Sequence, residues 1–177
     1  DQFNSIHERL IAKWKDIQSY LKSPVYFAGT DEPEDILTLA YLQDTAQQAG
    51  LSTQPIAMLD IGWNEGRKCF LDVNENLIDS IFKLYPWEWM FHDAFGAKLL
   101  SAPTRWIEPP WKAILSNKGI LPLLWEMCPG HPNLLPAFFE EDPQAASLGD
   151  SFVRKPLFSR EGANVTLVSR GTAVVQE

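Results

Sequence analysis

Residues 25–59 read VYFAGTDEPEDILTLAYLQDTAQQAGLSTQPIAML, and this stretch decides the fold class. It begins with a short apolar run at residues 25–28 and ends with a second at residues 54–59, both typical of buried strands. Between them, apolar residues recur at helical spacing from Ile36 until Gly50, a residue type that commonly ends helices. Strand, helix and strand in succession predict a βαβ unit, so the two strands should be parallel neighbours in a mixed α/β fold.

The composition is that of a globular protein of 177 residues, with 45% hydrophobic and 21% charged residues. The formal net charge of −8 argues against nucleic acid or an anionic membrane as the main partner, because an acidic surface repels both. The two cysteines form no disulfide framework and no paired metal motif, which favours a reducing, cytoplasmic location. No apolar run approaches the ~18 residues that predict a membrane span.

Further patterns surround the βαβ unit. Apolar residues at helical spacing predict a helix over residues 3–22. Two apolar runs within residues 62–84 flank a polar turn at 72–76 and predict a hairpin. An aromatic-faced helix is predicted over residues 87–99, with its apolar face in the core, and a strand is predicted at residues 105–108.

An acidic loop follows the first strand of the βαβ unit and contains Glu32, Glu34 and Asp35. Open α/β sheets bind their ligands at the carboxyl ends of strands, where this loop lies. Glu34 and Asp35 are therefore candidates for binding an amine substrate. The alternative is that these carboxylates only stabilise the positive end of the following helix.

Residues 152–168 predict a strand, a loop and a second strand. Lys155 precedes the loop, which contains Ser159, Arg160, Gly162 and Asn164. Small and turn-forming residues of this kind allow backbone N–H groups to converge on phosphate oxygens, and the two cations add charge. The alternative is an exposed hairpin with ordinary surface charges.

A second lysine, Lys118, lies where another helix is predicted to begin, after the candidate capping residues Ser116 and Asn117. The N-terminal end of a helix favours an anion, and a lysine there adds a full positive charge. The chain therefore has two lysines beside segments suited to anions, on separate parts of the sequence.

These segments resemble the glutathionylspermidine synthase family. The resemblance is carried by the runs Glu108-Pro109-Pro110-Trp111, Ser116-Asn117-Lys118-Gly119-Ile120-Leu121-Pro122-Leu123-Leu124-Trp125, Val153-Arg154-Lys155-Pro156 and Arg160-Glu161-Gly162-Ala163-Asn164. It implies an ATP-grasp fold with a preceding βαβ substrate-side domain, incomplete at both ends. Residues 1–84 would be the pre-ATP-grasp region and residues 85–177 a partial ATP-grasp region. The strand-like run at residues 173–175 and the absence of an initial Met also lead us to expect a segment of a longer protein.

The resemblance implies an ATP-dependent carboxylate–amine ligase that forms an amide bond through an acyl phosphate. Its partners would be a small carboxylate, such as a glutathione-like peptide, and an amine, either a polyamine or an amino acid. Lys118 and Lys155 would hold the nucleotide phosphates, and Arg160 would be the catalytic cation. The loop that closes over the phosphates would consist of Ser159, Arg160, Glu161, Gly162, Ala163 and Asn164.

Two departures from the family pattern matter. The residues that hold Mg²⁺ in the family lie before the region matched here, so no metal site is expected in this chain, and the isolated chain is expected to be inactive. Leu84 stands at a position where the resemblance implies a threonine that contacts glutathione in characterised synthases. The identity of the carboxylate substrate is therefore left open. The alternative function is a non-catalytic nucleotide-binding or interaction module on the same fold.

Overall fold

A computed structural model describes residues 5–176. The chain divides into two compact units, which meet in the sequence at Pro110 and Trp111. The predicted division into a pre-ATP-grasp region at 1–84 and an ATP-grasp region at 85–177 remains a prediction.

The first unit is built on a parallel sheet with helices. In chain order its elements are α1 (Ile6–Ile17), β1 (Val25–Gly29), α2 (Pro33–Gln48), β2 (Thr53–Ala57), β3 (Gly62–Asn64), β4 (Cys69–Leu71), β5 (Ser80–Lys83), α3 (Trp87–His92) and β6 (Arg105–Ile107). Short 3₁₀ turns occupy Gln18–Tyr20, Met58–Asp60 and Gly96–Lys98.

The sheet has the strand order β2-β1-β5-β6, and every neighbouring pair in it is parallel. The βαβ prediction is confirmed, since β1 pairs with β2 and α2 connects them. Pro55, which lacks an N–H group, is accommodated because β2 is an edge strand. The chain runs outward from β1 to β2 and then crosses back to β5, so the order reverses between β1 and β5. Such a reversal is the point where open α/β sheets bind ligands.

The core of the first unit lies where α1 and α2 pack against β1. Trp14 on α1 is 5% exposed, and its ring centroid is 5.5 Å from that of Phe27 on β1. The indole N–H of Trp14 donates a 3.0 Å hydrogen bond to the hydroxyl oxygen of Thr45 on α2. This bond satisfies a donor that has no access to water.

The helix predicted over residues 3–22 is shorter than expected. It occupies Ile6–Ile17 and ends in the 3₁₀ turn Gln18–Tyr20. Phe3, assigned to its apolar face, lies outside the described residues. The single buried side chain of this helix is Trp14, so its other apolar positions lie at the rim of the core.

The predicted hairpin at residues 62–84 is only partly correct. The polar turn forms, since Leu71 and Leu77 make an antiparallel bridge across it. However, β4 pairs with β3, and residues 80–83 leave the turn to become β5 at the centre of the parallel sheet. The apolar run at 77–82 is buried on both faces there, and such a run does not reveal its partner.

The turn is closed by Asp72, whose carboxylate is buried. Its Oδ1 accepts hydrogen bonds from the N–H groups of Asn74 and Asn76, at 2.9 and 2.8 Å. Its Oδ2 accepts from the hydroxyl of Tyr26 on β1 at 3.0 Å and from the Asn76 side chain at 3.1 Å. The turn is therefore attached to the central sheet through one charged group.

The aromatic helix predicted over residues 87–99 is also interrupted. It ends at His92, Asp93 is extended, and a 3₁₀ turn follows at Gly96–Lys98. Trp87 and Met90 are buried as expected, but Phe91 and Phe95 of the predicted apolar face are 42% and 39% exposed. Trp89, which is not part of that predicted face, is 49% exposed. The aromatic face is thus divided between the core and the surface.

The second unit contains α4 (Ala113–Ser116), α5 (Ile120–Met127), β7 (Phe152–Arg154), β8 (Val165–Ser169) and β9 (Thr172–Gln176), with 3₁₀ turns at Pro110–Lys112 and Pro143–Leu148. The predicted strand, loop and strand at residues 152–168 are confirmed, because β7 pairs antiparallel with β8. β9 adds a third antiparallel strand.

Candidate functional site

Lys118 lies against the predicted phosphate loop within the second unit. Its ammonium group donates hydrogen bonds to the backbone carbonyl of Ser159 at 2.6 Å and to the Ser159 hydroxyl at 2.7 Å. Its backbone N–H also donates to the carbonyl of Leu157 at 3.0 Å. The segment that precedes α5 and the beginning of the loop are therefore joined at a single lysine.

The position of Lys118 follows from local sequence. The side chain of Asn117 accepts a 2.7 Å hydrogen bond from the N–H of Gly119, which turns the backbone into α5. A Cβ at Gly119 would lie 3.0 Å from that Asn117 oxygen and 3.3 Å from Leu157, so a small residue suits this close approach. Lys118 lies between Asn117 and Gly119 in the chain and faces residues 157–159.

The loop itself contains several left-handed residues. Glu161, Gly162 and Asn164 have φ angles of 53°, 84° and 58°. The N–H of Ala163 donates to the Arg160 carbonyl at 2.9 Å, and the N–H of Val165 donates to the Gly162 carbonyl at 3.0 Å. The loop therefore folds as two consecutive turns, and left-handed residues within turns are the geometry from which anion-binding concavities are built.

Cations lie before and within the loop. Lys155 follows β7 directly and is exposed, as is Arg160. Arg154, the last residue of β7, forms a surface ion pair with Glu140 at 3.0 Å. Lys155, Arg160 and Lys118 thus supply three positive charges around residues 155–164 of an acidic chain.

A separate cavity of about 530 Å³ lies in the first unit, at the reversal of strand order. Gly29, Thr30 and Asp31 line it at the end of β1, Ala57 and Met58 at the end of β2, and Tyr85 beyond the end of β5. The remaining wall comes from the segment after β2, from β4 and β6, and from the α3 region: Leu59, Ile61, Phe70, Trp89, Met90, Asp93, Ala94, Phe95, Leu99 and Trp106. Its volume is in the range of small-molecule sites.

The wall is predominantly apolar, with charge supplied by Asp31 and Asp93. Burial raises the pKa of Tyr85, and the negative charge of Asp93 raises it further. The phenol hydroxyl therefore stays protonated and lies in a region of negative potential.

The predicted substrate residues lie around this cavity rather than in its lining. The carboxylate of Asp35 accepts hydrogen bonds from the Thr30 hydroxyl at 2.7 Å and the Thr30 N–H at 3.2 Å, which fixes the start of α2. Glu34 is exposed on the first turn of that helix. The N–H of Leu84 donates to the Ala28 carbonyl at 2.7 Å and extends the β1–β5 pairing.

The first-unit cavity was missed by sequence reasoning. The apolar face predicted for residues 87–99 includes Phe95 and is expected in the core, because an apolar helical face is usually buried. The one available signal was Asp93 followed by Gly96, which interrupts the helix. A Cβ at Gly96 would clash with the carbonyl oxygen of Phe91, so the chain folds tightly back there.

No group of three or more His, Cys, Asp or Glu side chains within residues 5–176 is placed to hold a metal ion. Cys69 is buried in β4, and Cys128 is exposed. Within the same residues, no helix is both long and apolar enough to cross a membrane.

Comparison with known proteins extends over the whole chain. A family model described as glutathionylspermidine synthase preATP-grasp matches residues 1–177. A Haemophilus influenzae protein named as a candidate acid–amine ligase is 42% identical over 179 residues, covering 98% of this chain and 45% of that protein.

Two further relatives carry synthetase names. Trypanothione synthetase of Crithidia fasciculata is 30% identical, over 85% of this chain and 26% of its own length. The bifunctional glutathionylspermidine synthetase/amidase of Escherichia coli is 25% identical, over 95% of this chain and 30% of its own length. The chain therefore spans less than half the length of each of these relatives.

Proposed function

Because the chain belongs to the glutathionylspermidine synthase preATP-grasp family, we propose that it is part of an ATP-dependent acid–amine ligase. In this reaction a carboxylate oxygen attacks the γ-phosphorus of ATP, ADP leaves, and an acyl phosphate forms. An amine nitrogen then attacks the acyl carbon, phosphate leaves, and the nitrogen loses a proton as the amide forms. The ligase names of the relatives support the class of product.

The observation that carries the proposal is the double hydrogen bond from Lys118 to Ser159. It places a lysine ammonium at the beginning of a turn-rich loop, with Lys155 before the loop and Arg160 within it. We assign Lys118 and Lys155 to the phosphates of the nucleotide. On binding, the Lys118 ammonium would exchange or share its serine contacts with phosphate oxygens, which are stronger acceptors for a cation.

The loop is assigned to closure over the phosphates. Arg160 would meet negative charge that develops during phosphoryl transfer, and a preoriented cation stabilises such a transition state. Ser159, Glu161, Gly162, Ala163 and Asn164 would line the phosphates with backbone and small polar groups. Closure would also exclude water, which otherwise hydrolyses an acyl phosphate.

Substrate recognition is assigned to the first unit. Asp35 and Glu34 would contribute negative charge at the start of α2, with Asp35 acting through its contact with Thr30 in the cavity lining. Leu84 offers an apolar side chain where the family pattern has a threonine. We therefore propose a carboxylate substrate that does not require a hydroxyl partner at this position.

ATP-grasp chemistry is expected to use Mg²⁺, but the residues described here do not fit a site for it. The residue roles proposed for this chain are therefore confined to binding, orientation and exclusion of water.

A second candidate function is a non-catalytic nucleotide-binding module. It is favoured by Leu84, which stands where the family pattern has a substrate-contacting threonine. Nucleotide-dependent thermal shifts without turnover would support it, and turnover would exclude it.

The test of the proposed function is ADP release by the full natural protein with Mg²⁺, across a panel of carboxylates and amines. At least one pair should raise turnover above background, and Lys118→Ala should lower it by at least about tenfold, because a charge-assisted hydrogen bond is lost. Lys13→Ala is the matched control, since Lys13 lies on the exposed face of α1 in a surface ion pair with Asp16. If no pair stimulates turnover and Lys118→Ala changes nothing, the ligase function is wrong.

A further inference from the structure

The cavity at the carboxyl ends of β1, β2 and β5 has walls that are both apolar and accessible. Leu59 exposes 92% of its surface, Trp89 49% and Phe95 39%, and all three line the same concavity. Large apolar side chains gathered around a concave surface are typical of a site for an apolar ligand group. The position at the reversal of strand order is independent support for a ligand there.

The aromatic side chains of the wall are held in defined orientations. The rings of Tyr85 and Trp89 meet edge to face, with centroids 5.4 Å apart and planes at 72°. On another part of the wall, Phe70 and Trp106 meet at 5.6 Å and 82°. Rings fixed in this way present both faces and edges to a ligand, and aromatic ligands pack well against such surfaces.

The charge of the lining has one sign. Asp31 and Asp93 are its only ionisable groups apart from the phenol of Tyr85, and Lys, Arg and His are absent from the residues that line the cavity. Asp31 follows β1, whereas Asp93 follows α3, so the two carboxylates come from different elements. Burial raises the pKa of the Tyr85 phenol, and the negative charge of Asp93 raises it further.

We propose that this cavity binds a primary amine with an aromatic body, its ring against the apolar wall and its ammonium group facing Asp31 and Asp93. If the proposed ligase function holds, this amine is the acyl acceptor. A linear polyamine fits the cavity less well, because its additional ammonium groups would be brought against apolar side chains and lose their hydration. A carboxylate ligand is disfavoured by the charge of the lining.

Four small molecules test the proposal by calorimetric titration of the full natural protein without nucleotide. The probe is 2-phenylethylamine. The comparisons are 3-phenylpropanoate, which keeps the ring and reverses the charge, n-butylamine, which keeps the charge and lacks the ring, and spermidine. We expect 2-phenylethylamine to bind at least about tenfold more tightly than n-butylamine, because burial of the ring is lost in the latter. Tighter binding of 3-phenylpropanoate, n-butylamine or spermidine would overturn the proposal, as would no binding of the probe.

Variants then locate the site. Trp89→Ala should weaken binding of 2-phenylethylamine by about tenfold through lost ring contact, and Asp93→Asn by about threefold through a lost, partly screened charge. Phe91→Ala and Asp16→Asn are the controls, since Phe91 is an exposed aromatic residue of the same helix outside the lining and Asp16 is an exposed carboxylate on α1. Equal losses in the controls and the site variants would contradict the assignment.

The two proposals fail in distinguishable ways. Lys118-dependent ADP release with no binding of 2-phenylethylamine would retain the ligase function and refute the cavity assignment. Binding of 2-phenylethylamine that depends on Trp89 and Asp93, with no ADP release for any substrate pair, would support the amine site in the cavity and refute the proposed ligase function.

Discussion

The ammonium group of Lys118 donates to both oxygen atoms of Ser159, at 2.6 Å to the carbonyl and 2.7 Å to the hydroxyl. The two residues are 41 positions apart in the sequence. Their contact joins the start of α5 to the loop between β7 and β8. It gives one side chain two roles, as a structural tie of the loop and as the proposed phosphate ligand.

The structural role can be tested without nucleotide. Lys118→Met removes both hydrogen bonds to Ser159 while keeping an apolar side chain of similar length. We expect faster amide hydrogen exchange at residues 159–165, because local opening of the loop then requires less free energy. Lys13→Met, on the exposed face of α1, should leave this exchange rate unchanged. Equal exchange rates in the two variants would show that Lys118 does not stabilise the loop.

Gly162 is expected to matter for nucleotide binding more than for stability. Its φ of 84° is unfavourable for any residue with a Cβ, so Gly162→Ala should cost about 1 kcal/mol and distort the loop. Gly130→Ala is a matched control, with a φ of 76° in the same unit and open space around its Cβ position. Both variants should lose similar stability in urea, but only Gly162→Ala should weaken ATP binding. Equal effects on ATP binding would remove Gly162 from the site.

The hydrogen bond between Trp14 and Thr45 should contribute measurably to stability. Thr45→Val keeps the shape of the side chain but leaves the indole N–H of Trp14 buried without this acceptor. We expect a loss of about 1–3 kcal/mol in the free energy of unfolding, measured by urea denaturation. Thr38→Val on the exposed face of the same helix should change it by less than about 0.5 kcal/mol. A Thr45→Val protein as stable as the parent would show that the indole N–H finds another acceptor.

The Asp72 carboxylate should make the fold sensitive to acid. Burial opposes its ionisation, but hydrogen bonds from Asn76, Tyr26 and Asn74 outweigh that effect and hold its pKa below the usual value. A lowered pKa in the folded state stabilises the protein above the unfolded pKa of about 4, and this stabilisation is lost as the pH falls through the folded pKa. Asp72→Asn should therefore be less stable at pH 7 by about 1–3 kcal/mol and show a smaller further loss on acidification. Asp16→Asn is the control, and urea denaturation at pH 7 and pH 3 measures both variants.

Tyr26 should produce a corresponding loss of folding stability at alkaline pH. Burial and the hydrogen bond to Asp72 raise its pKa to about 12. Its folded pKa is above the unfolded value of about 10, so the contribution is fully present below pH 10 and is lost as the pH rises toward 12. Tyr26→Phe should remove this part of the alkaline dependence, as seen in denaturation curves at pH 9 and pH 11. If Tyr26→Phe loses as much stability between pH 9 and pH 11 as the parent protein, groups other than Tyr26 cause the alkaline loss.

Local sequence patterns determined the elements whose signals lie within a few residues of each other. The βαβ unit follows from two apolar runs around a helical stretch that ends at Gly50, and the loop at 155–164 follows from its turn-forming residues. The family was also recognisable from contiguous motifs around Lys118 and Lys155. These features depend on backbone preferences and on short-range periodicity, which the sequence displays directly.

Tertiary structure decided which distant segments meet. Residues 80–83 form a central parallel strand, paired with β1 on one edge and with β6 on the other, and their side chains are mostly buried. An apolar run of this kind does not reveal which strands it pairs with. The chain after the break of α3 at Asp93 contributes Phe95 to the wall of the cavity that Trp89 also lines, and Tyr85, which follows β5, meets the Trp89 ring there. Contacts of this kind depend on the packing of the whole unit, so neither the cavity nor the hydrogen bonds between Lys118 and Ser159 could be predicted from residue spacing.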